Sequence, residues 1–199
     1  MLGFVAPSIA AAATLSIGEE EIANKIDPSS MDRFWAIIER SGPGTDQWDQ
    51  AQALRLELSK LTEDEIVEFD TVLRALHAIA YRWDLWESAD IIKGGASDDA
   101  FHYFKAWVIA RGRAFFEAAL DDPDSLADLI PAKVDNYAEF EGLNYVAREV
   151  WTEKTGNYDM PMPELVPHPS DPLGDPISEE DLELRFPKLW ARFGTTPLG

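Results

Sequence analysis

Residues 81–107 of the chain read YRWDLWESADIIKGGASDDAFHYFKAW. Aromatic rings, a glycine pair, adjacent carboxylates and several cationic side chains follow one another here. Large aromatic side chains are typical of a core, and a glycine pair is typical of a forced backbone turn. Clustered charges are typical of helix caps or of a functional site. The stretch therefore predicts two helices that meet at Gly94-Gly95, with Ser97 as the cap of the second.

Helical patterns continue on both sides of this stretch. Thr62-Glu63-Asp64-Glu65 matches a capping box, and the apolar residues that follow recur at steps of three and four. Ser29-Ser30-Met31-Asp32 predicts another helix start, with serine as the cap. Further helices are predicted at 48–58, at 97–120, at 125–130 and at 136–155. Because no run of strict two-residue alternation stands out, we predict an all-α fold, a compact bundle of about five to seven helices.

The composition divides the chain into three zones. Residues 1–28 carry an Ala-rich segment and an acidic patch without an amphipathic pattern, and we expect a flexible N-terminal extension. Residues 29–156 form the helical domain. Residues 157–199 are rich in proline, which favours an extended arm. The arm holds a short helix, and we expect it to pack on the domain.

The charge of the chain limits its partners. Its 199 residues include 17 Lys and Arg against 37 Asp and Glu, for a formal net charge of −20. Such a field repels phosphate backbones and anionic lipid, so we expect neither direct nucleic-acid binding nor membrane binding. A basic protein partner suits it, although the acidity also has a simpler interpretation as a means of solubility. The sequence leaves the oligomeric state open.

The composition also restricts chemistry and location. The chain has no cysteine, which excludes disulfides, thiolate catalysis and zinc-finger sites. The most apolar run, at 5–17, is too short to span a bilayer, and we expect a cytoplasmic protein.

Patterns for metal and nucleophilic chemistry are incomplete. Asp99 and His102 stand at i and i+3, but Arg74 occupies the place that would give His77 the same carboxylate partner. Ser97 lacks the glycine and the preceding strand of a nucleophile elbow, and Lys93-Gly94-Gly95 lacks the spacing of a phosphate-binding loop. We therefore expect no metal and no cofactor, and the sequence identifies no catalytic residue.

A local excess of cationic and aromatic side chains remains unexplained in this acidic chain. If the two central helices pack across the glycine turn, these side chains line a pocket for an anion. The alternative is structural, with Trp83 and Trp107 in the core and Arg82 paired with Asp84. The candidate ligand-binding residues are Arg82, Trp83, Asp84, Trp86, Asp98, Asp99, His102, Lys105, Trp107 and Arg111.

Several of these motifs carry a family likeness. Met31-Asp32-Arg33-Phe34-Trp35, the 81–86 block, the 94–99 turn and the aromatic residues of 101–107 together resemble a bacterial family, Domain of Unknown Function 4240. The likeness covers roughly residues 31–156, and the C-terminal arm matches only in its Phe-Pro-x-Leu-Trp ending. The resemblance implies no activity and supplies no catalytic residue.

Two functions from different classes follow as hypotheses. The first is a non-enzymatic protein-interaction module, of an immunity, antitoxin-like or regulatory kind, that uses the acidic surface or the C-terminal arm. The alternative is a small enzyme or ligand-binding protein that acts on an anionic metabolite at the Trp/Arg pocket. Mimicry of nucleic acid by rows of carboxylates is a third, weaker hypothesis.

Overall fold

A computed structural model describes residues 21–132, 138–163 and 169–199. The predicted all-α class is confirmed: these residues contain no strand, and only an isolated bridge joins Arg82 to Leu173. The helices are α1 (Pro28–Arg40), α2 (Gln47–Ser59), α3 (Glu63–Ile79), α4 (Trp83–Lys93), α5 (Asp98–Ala110), α6 (Arg113–Asp121), α7 (Leu126–Leu129), α8 (Leu143–Thr155), α9 (Leu182–Arg185) and α10 (Pro187–Phe193), with short 3-10 turns at Pro123–Ser125 and Glu179–Asp181.

Local sequence signals set several helix ends. The Thr62 side chain accepts from the Glu65 amide and the Glu65 carboxylate accepts from the Thr62 amide, so the capping box of α3 is present. Helix α4 ends at Gly94 in the left-handed conformation with φ 74°, a conformation that glycine adopts without steric cost. Ser97 accepts from the Ala100 amide and caps α5. The helix–turn–helix predicted for residues 81–107 is therefore the local architecture.

Three predicted helix boundaries were wrong. Helix α1 begins earlier than predicted, because the Asp27 carboxylate rather than a serine caps it. The helix predicted for 97–120 is two helices, since Gly112 interrupts it with φ 95° and a Cβ at this position would lie 2.6 Å from the Glu39 carboxylate. Helix α8 begins at Leu143 rather than at residue 136, and residues 133–137 lie outside the described residues.

Helix α3 lies at the centre of the core and is buried on several sides. It packs against α1, α5 and α8, and α8 also packs against α2. Its buried residues include polar side chains, among them Asp70 and His77. Burying a polar group costs free energy unless the group is paired. These side chains therefore form an unusual polar region within an otherwise apolar core.

The C-terminal arm lies on the helical domain in its described parts. Helix α10 packs against α4 and α7. The Leu173 amide donates to the Tyr81 carbonyl at 2.8 Å, and the Leu198 amide donates to the Ile92 carbonyl at 2.8 Å. In its described parts the arm buries five apolar side chains, which are Met160, Leu182, Phe186, Leu189 and Phe193. These anchors are covered by the domain itself.

The N-terminal extension also contributes to the core in its described part. Ile22 and Ile26 are buried in the same apolar cluster as the first helix. Within the extension expected over residues 1–28, the described residues 21–28 thus have an apolar anchor on the domain, formed by two isoleucines that belong to no longer periodic pattern. Residues 1–20 lie outside the described residues.

None of the helices in residues 21–132, 138–163 or 169–199 has the length and apolar character needed to cross a membrane.

Candidate functional site

The ten residues predicted from the sequence do not line one pocket. The structure distributes them over the start of α4, the interior between α4 and α5, the exposed start of α5, the far end of α5 and a polar cavity beside α3. The physical reason is helical geometry: residues along α5 project in different directions about its axis, so neighbours in sequence face different elements.

Arg82 and Asp84 form an ion pair at the start of α4. The Arg82 guanidinium donates to both carboxylate oxygens of Asp84, at 2.5 and 2.6 Å. The pair lines a cavity of about 420 Å³ between α4 and the arm segment that includes Asp175 and Asp181. With three carboxylates against Arg82 and Arg185, this cavity does not favour an anion.

The rings of the central stretch stack on one another around Lys105. Trp86 stacks on Phe101 with a centroid distance of 4.6 Å, and Trp83 stacks on Trp86 at 6.0 Å. The Lys105 ammonium lies 4.7 Å from the centroid of the Tyr81 ring. Burial lowers the pKa of Lys105 to about 8. Lys105 is only 2% exposed and Phe101 is buried, whereas Trp83 is half-buried and lies outside the apolar core, in contrast to its interpretation as a core residue.

The other predicted residues have local structural roles. Asp98 and Asp99 are exposed in the first turn of α5, where their charges oppose the helix dipole. Trp107 is buried in the core. The Arg111 guanidinium lies 5.6 Å from the centroid of the Trp107 ring, at the end of α5 remote from His102.

His102 alone among the ten lines a polar cavity formed by α3, α5 and α8. The cavity has a volume of about 430 Å³, within the range of small-molecule sites. We name it the α3–α8 pocket. Its polar lining residues are Asp70, Thr71, Arg74, His77, His102, Asn144, Tyr145 and Arg148.

A buried carboxylate anchors the floor of the α3–α8 pocket. Asp70 stands one helical turn before Arg74, and the Arg74 Nε atom lies 3.0 Å from Asp70 Oδ2. Burial raises the pKa of Asp70, while the guanidinium groups of Arg74 and Arg148 lower it. The carboxylate therefore engages the Nε edge of the Arg74 guanidinium, and the Nη2 atom is not paired with it.

Three N–H donor groups of the pocket lack an acceptor among the described residues. The Nη2 atom of Arg74 and the Nδ2 atom of Asn144 are buried there without a hydrogen-bond partner. Arg148, which is exposed at the rim, forms no hydrogen bond or ion pair within the described parts of the chain. Buried polar groups in folded proteins are normally paired, so donors left open around one cavity indicate a ligand with acceptor atoms.

Two histidines complete the wall of the pocket. The rings of His77 on α3 and His102 on α5 stack with a centroid distance of 4.6 Å and an interplanar angle of 22°. His77 is buried and His102 is exposed. The two imidazole rings add hydrogen-bonding groups to the wall of the pocket beside the arginines.

The sequence analysis missed most of this pocket. Asp70, Arg74 and His77 recur at i, i+4 and i+7 within a strongly apolar helix, which places them on one face. Asn144 and Arg148 repeat the i, i+4 spacing on α8. A polar stripe on an otherwise buried helix was the available signal, whereas the dense aromatic stretch drew attention to residues that fill the core.

Metal binding has little support in this geometry. Within the described residues, no three His, Cys, Asp or Glu side chains come together as a metal-ligating group. Asp70 is already engaged by Arg74.

Comparison with known proteins places the chain in a family. The model of the family described as "Protein of unknown function (DUF4240)" matches residues 30–153. This is more than half of the chain. The protein belongs to the DUF4240 family. The resemblance predicted from the sequence motifs is thereby confirmed.

The DUF4240 match contains every polar residue that lines the α3–α8 pocket, whereas Pro163, which also lines it, and the rest of the C-terminal arm lie beyond the match. No curated protein and no solved structure matches the chain. The family description assigns no activity, so the function has to be argued from the pocket itself.

Proposed function

We propose that the protein binds a small organic or inorganic oxyanion in the α3–α8 pocket. The observation that supports this most strongly is the set of open donors around one cavity, the Nη2 of Arg74, the Nδ2 of Asn144 and the guanidinium of Arg148. Carboxylates and phosphates present the acceptor oxygens that such donors require, and arginine pairs with them in a two-pronged geometry. This function belongs to the ligand-binding hypothesis, at a different place from the predicted Trp/Arg cluster.

The charge within the pocket agrees with an anion. Two guanidinium groups face one carboxylate there, so the local sign is opposite to the net charge of −20. The surrounding acidity lowers the rate at which anions arrive, which favours an abundant ligand or one with a large apolar part. The apolar lining by Leu73 and Ala78 offers a surface for that part.

The interaction hypothesis that uses the C-terminal arm has less support than ligand binding. The arm packs on the domain, as expected, and its Phe186, Leu189 and Phe193 side chains are buried, although Leu184 is exposed. Binding of a basic partner through the acidic surface remains compatible with the structure and does not involve the α3–α8 pocket.

Isothermal calorimetry with inorganic phosphate and with citrate, at constant ionic strength, tests the proposal. The substitution Arg148→Gln removes one charged donor but leaves the buried Asp70–Arg74 pair intact. A hydrogen bond to a charged group contributes about 1.5–3 kcal/mol, so we expect the Kd of the preferred anion to rise by about tenfold to a hundredfold.

The matched control is Arg185→Gln, which removes the same charge from the arm, outside the pocket. We expect this variant to bind the anion like the wild type. Equal weakening by the two substitutions would reduce the effect to net charge, and no measurable binding of either anion would reject the proposal. The relative affinities of phosphate and citrate decide which oxyanion class the pocket prefers.

A further inference from the structure

A second concave surface lies between α2 and α8, on residues that, apart from Tyr145, do not line the oxyanion site. We name it the acidic groove. It has a volume of about 380 Å³ and is lined by apolar parts of Trp48, Ala51, Tyr145 and Val146. Of these, only Tyr145 also lines the α3–α8 pocket. The two surfaces are therefore separable by substitution of Trp48.

The exposure of Trp48 is the unusual feature of the acidic groove. Its side chain is 72% exposed, and Tyr145 across the groove is 46% exposed. Large aromatic side chains stabilise a fold mainly by burial, which Trp48 does not provide. Tryptophan and tyrosine left open beside a concave apolar surface are the residues that most often dominate protein–protein binding energy.

The rim of the acidic groove carries negative charge. Glu141 and Glu149 line it, and Asp49 stands one residue from Trp48. Arg55 is the cation of the lining, and it is neutralised by Glu149 at 2.9 Å and by Glu153. The remaining charge is negative, so an occupant of the groove gains from Lys or Arg side chains.

We propose that the acidic groove docks a basic segment of another protein, with an apolar side chain seated between Trp48 and Tyr145 and cationic side chains on the rim carboxylates. The net charge of −20 disfavours a second copy of this chain as the occupant, because like charges would meet across the interface. This inference goes beyond the proposed oxyanion binding and does not depend on it.

A synthetic amphipathic helical peptide of leucine and lysine is the probe, and the same peptide with glutamate in place of lysine is its charge-reversed control. Binding is followed by NMR at the indole N–H of Trp48 and by calorimetry at two salt concentrations. We expect the lysine peptide to bind, the affinity to fall as salt rises, and the glutamate peptide not to bind.

The substitution Trp48→Ala decides between docking in the groove and adhesion to an acidic surface. We expect it to raise the Kd of the lysine peptide by about tenfold or more, which is the effect of removing a central aromatic anchor. The matched control is Tyr158→Ala, an aromatic side chain that is 83% exposed and lies outside the groove. Both positions are exposed, so the fold is retained.

Two results would overturn the inference. Equal binding of the lysine peptide to the wild type and to the Trp48→Ala variant would show adhesion by net charge alone. Concentration-dependent self-association of the wild type in sedimentation experiments, lost in Trp48→Ala, would make a second copy the occupant. Neither result bears on oxyanion binding, which the Arg148→Gln comparison tests separately.

Discussion

At the scale of single residues, Lys105 combines deep burial with a charge that no described carboxylate neutralises. Its ammonium lies near the Tyr81 and Phe101 rings and 3.5 Å from the His77 carbonyl. Burial lowers its pKa to about 8. Because the folded state disfavours the charged form, the ammonium costs stability at every pH below that value, and the cost disappears as the pH rises from 8 toward the ordinary lysine pKa of about 10.4.

The substitution Lys105→Met is therefore expected to stabilise the protein at pH 7. The pKa shift corresponds to an upper limit of about 3 kcal/mol, from which the loss of the cation–π contacts subtracts about 1 kcal/mol. The advantage over the wild type is expected to shrink by about 2 kcal/mol between pH 7 and pH 9.5, as the wild-type ammonium loses its proton. Urea unfolding of both proteins at the two pH values measures this.

The exposed Lys60 provides the control for this comparison. Its side chain is 64% exposed, so Lys60→Met is expected to change neither the stability by more than about 0.5 kcal/mol nor its pH dependence. A Lys105→Met variant less stable than the wild type at pH 7 would show that the buried ammonium is a net stabilising group.

The sequence showed the chemistry of single residues but not their grouping. Ser97 as a cap and the Arg82–Asp84 pair depend on neighbours two or three positions away, so local reasoning was sufficient. The α3–α8 pocket joins Asp70 to Arg148 across the packing of two helices. The polar stripe on α3 indicates one wall of the pocket, but no property of the sequence specifies that α8 supplies the other wall.

At the scale of elements, the C-terminal arm is held by a buried carboxylate at the start of α10. Asp124 accepts from the amides of Lys188 at 3.0 Å and Leu189 at 2.9 Å, and it is 7% exposed. At the other end of α10, the Arg192 guanidinium donates to the carbonyls of Ile130 and Pro131. The arm is therefore attached by specific hydrogen bonds as well as by apolar burial.

The substitution Asp124→Ala is expected to destabilise the protein by about 1–2 kcal/mol, the usual effect of losing a helix cap, and to increase proteolysis of the arm. Urea unfolding and limited proteolysis measure the two effects. Asp128→Ala is the control, because it removes only an ion pair between Lys188 and Asp128, whose side chains are 54% and 72% exposed, and such pairs contribute about 0.5 kcal/mol. An equal loss in the two variants would contradict the capping role of Asp124.

Helix ends were predictable where the capping residues are adjacent in the sequence. They were not predictable where contacts with other helices set the end of the helix. The capping box of α3 and the Gly94 stop of α4 need only adjacent residues. The break between α5 and α6 falls at Gly112, whose positive φ and lack of a Cβ accommodate the close approach of Glu39 from α1, a contact that the local sequence does not reveal. The predicted start of α8 at residue 136 followed the apolar periodicity of the sequence, whereas the helix in the structure begins at Leu143, directly after Gly142.

At the scale of the whole molecule, the net charge of −20 opposes the compact state by self-repulsion. Raising NaCl from about 0.01 M to about 0.15 M shortens the screening length from about 30 Å to about 8 Å. We expect the Tm to rise by a few degrees over this range, measured by circular dichroism. The Arg148→Gln variant should show the same rise, which separates screening from chloride binding in the pocket. A constant or falling Tm would show that attractive ion pairs outweigh the self-repulsion.

The fold class was predictable from the sequence because helical periodicity, caps and the absence of strand alternation all indicated the same architecture. The functional class was not, because composition shows the average charge and not the local reversal of sign at Arg74 and Arg148. We place the functional site at this local reversal of charge.

An NMR titration of the Asn144 side-chain amide with phosphate or citrate tests this claim most directly. We predict that its Nδ2–H signals shift with the same Kd that calorimetry gives. The Gln50 side-chain amide, which donates to the Ala110 carbonyl at 2.8 Å in the core, should remain unchanged. An Asn144 amide that does not respond while an anion binds would place the ligand elsewhere and contradict the assignment of the pocket.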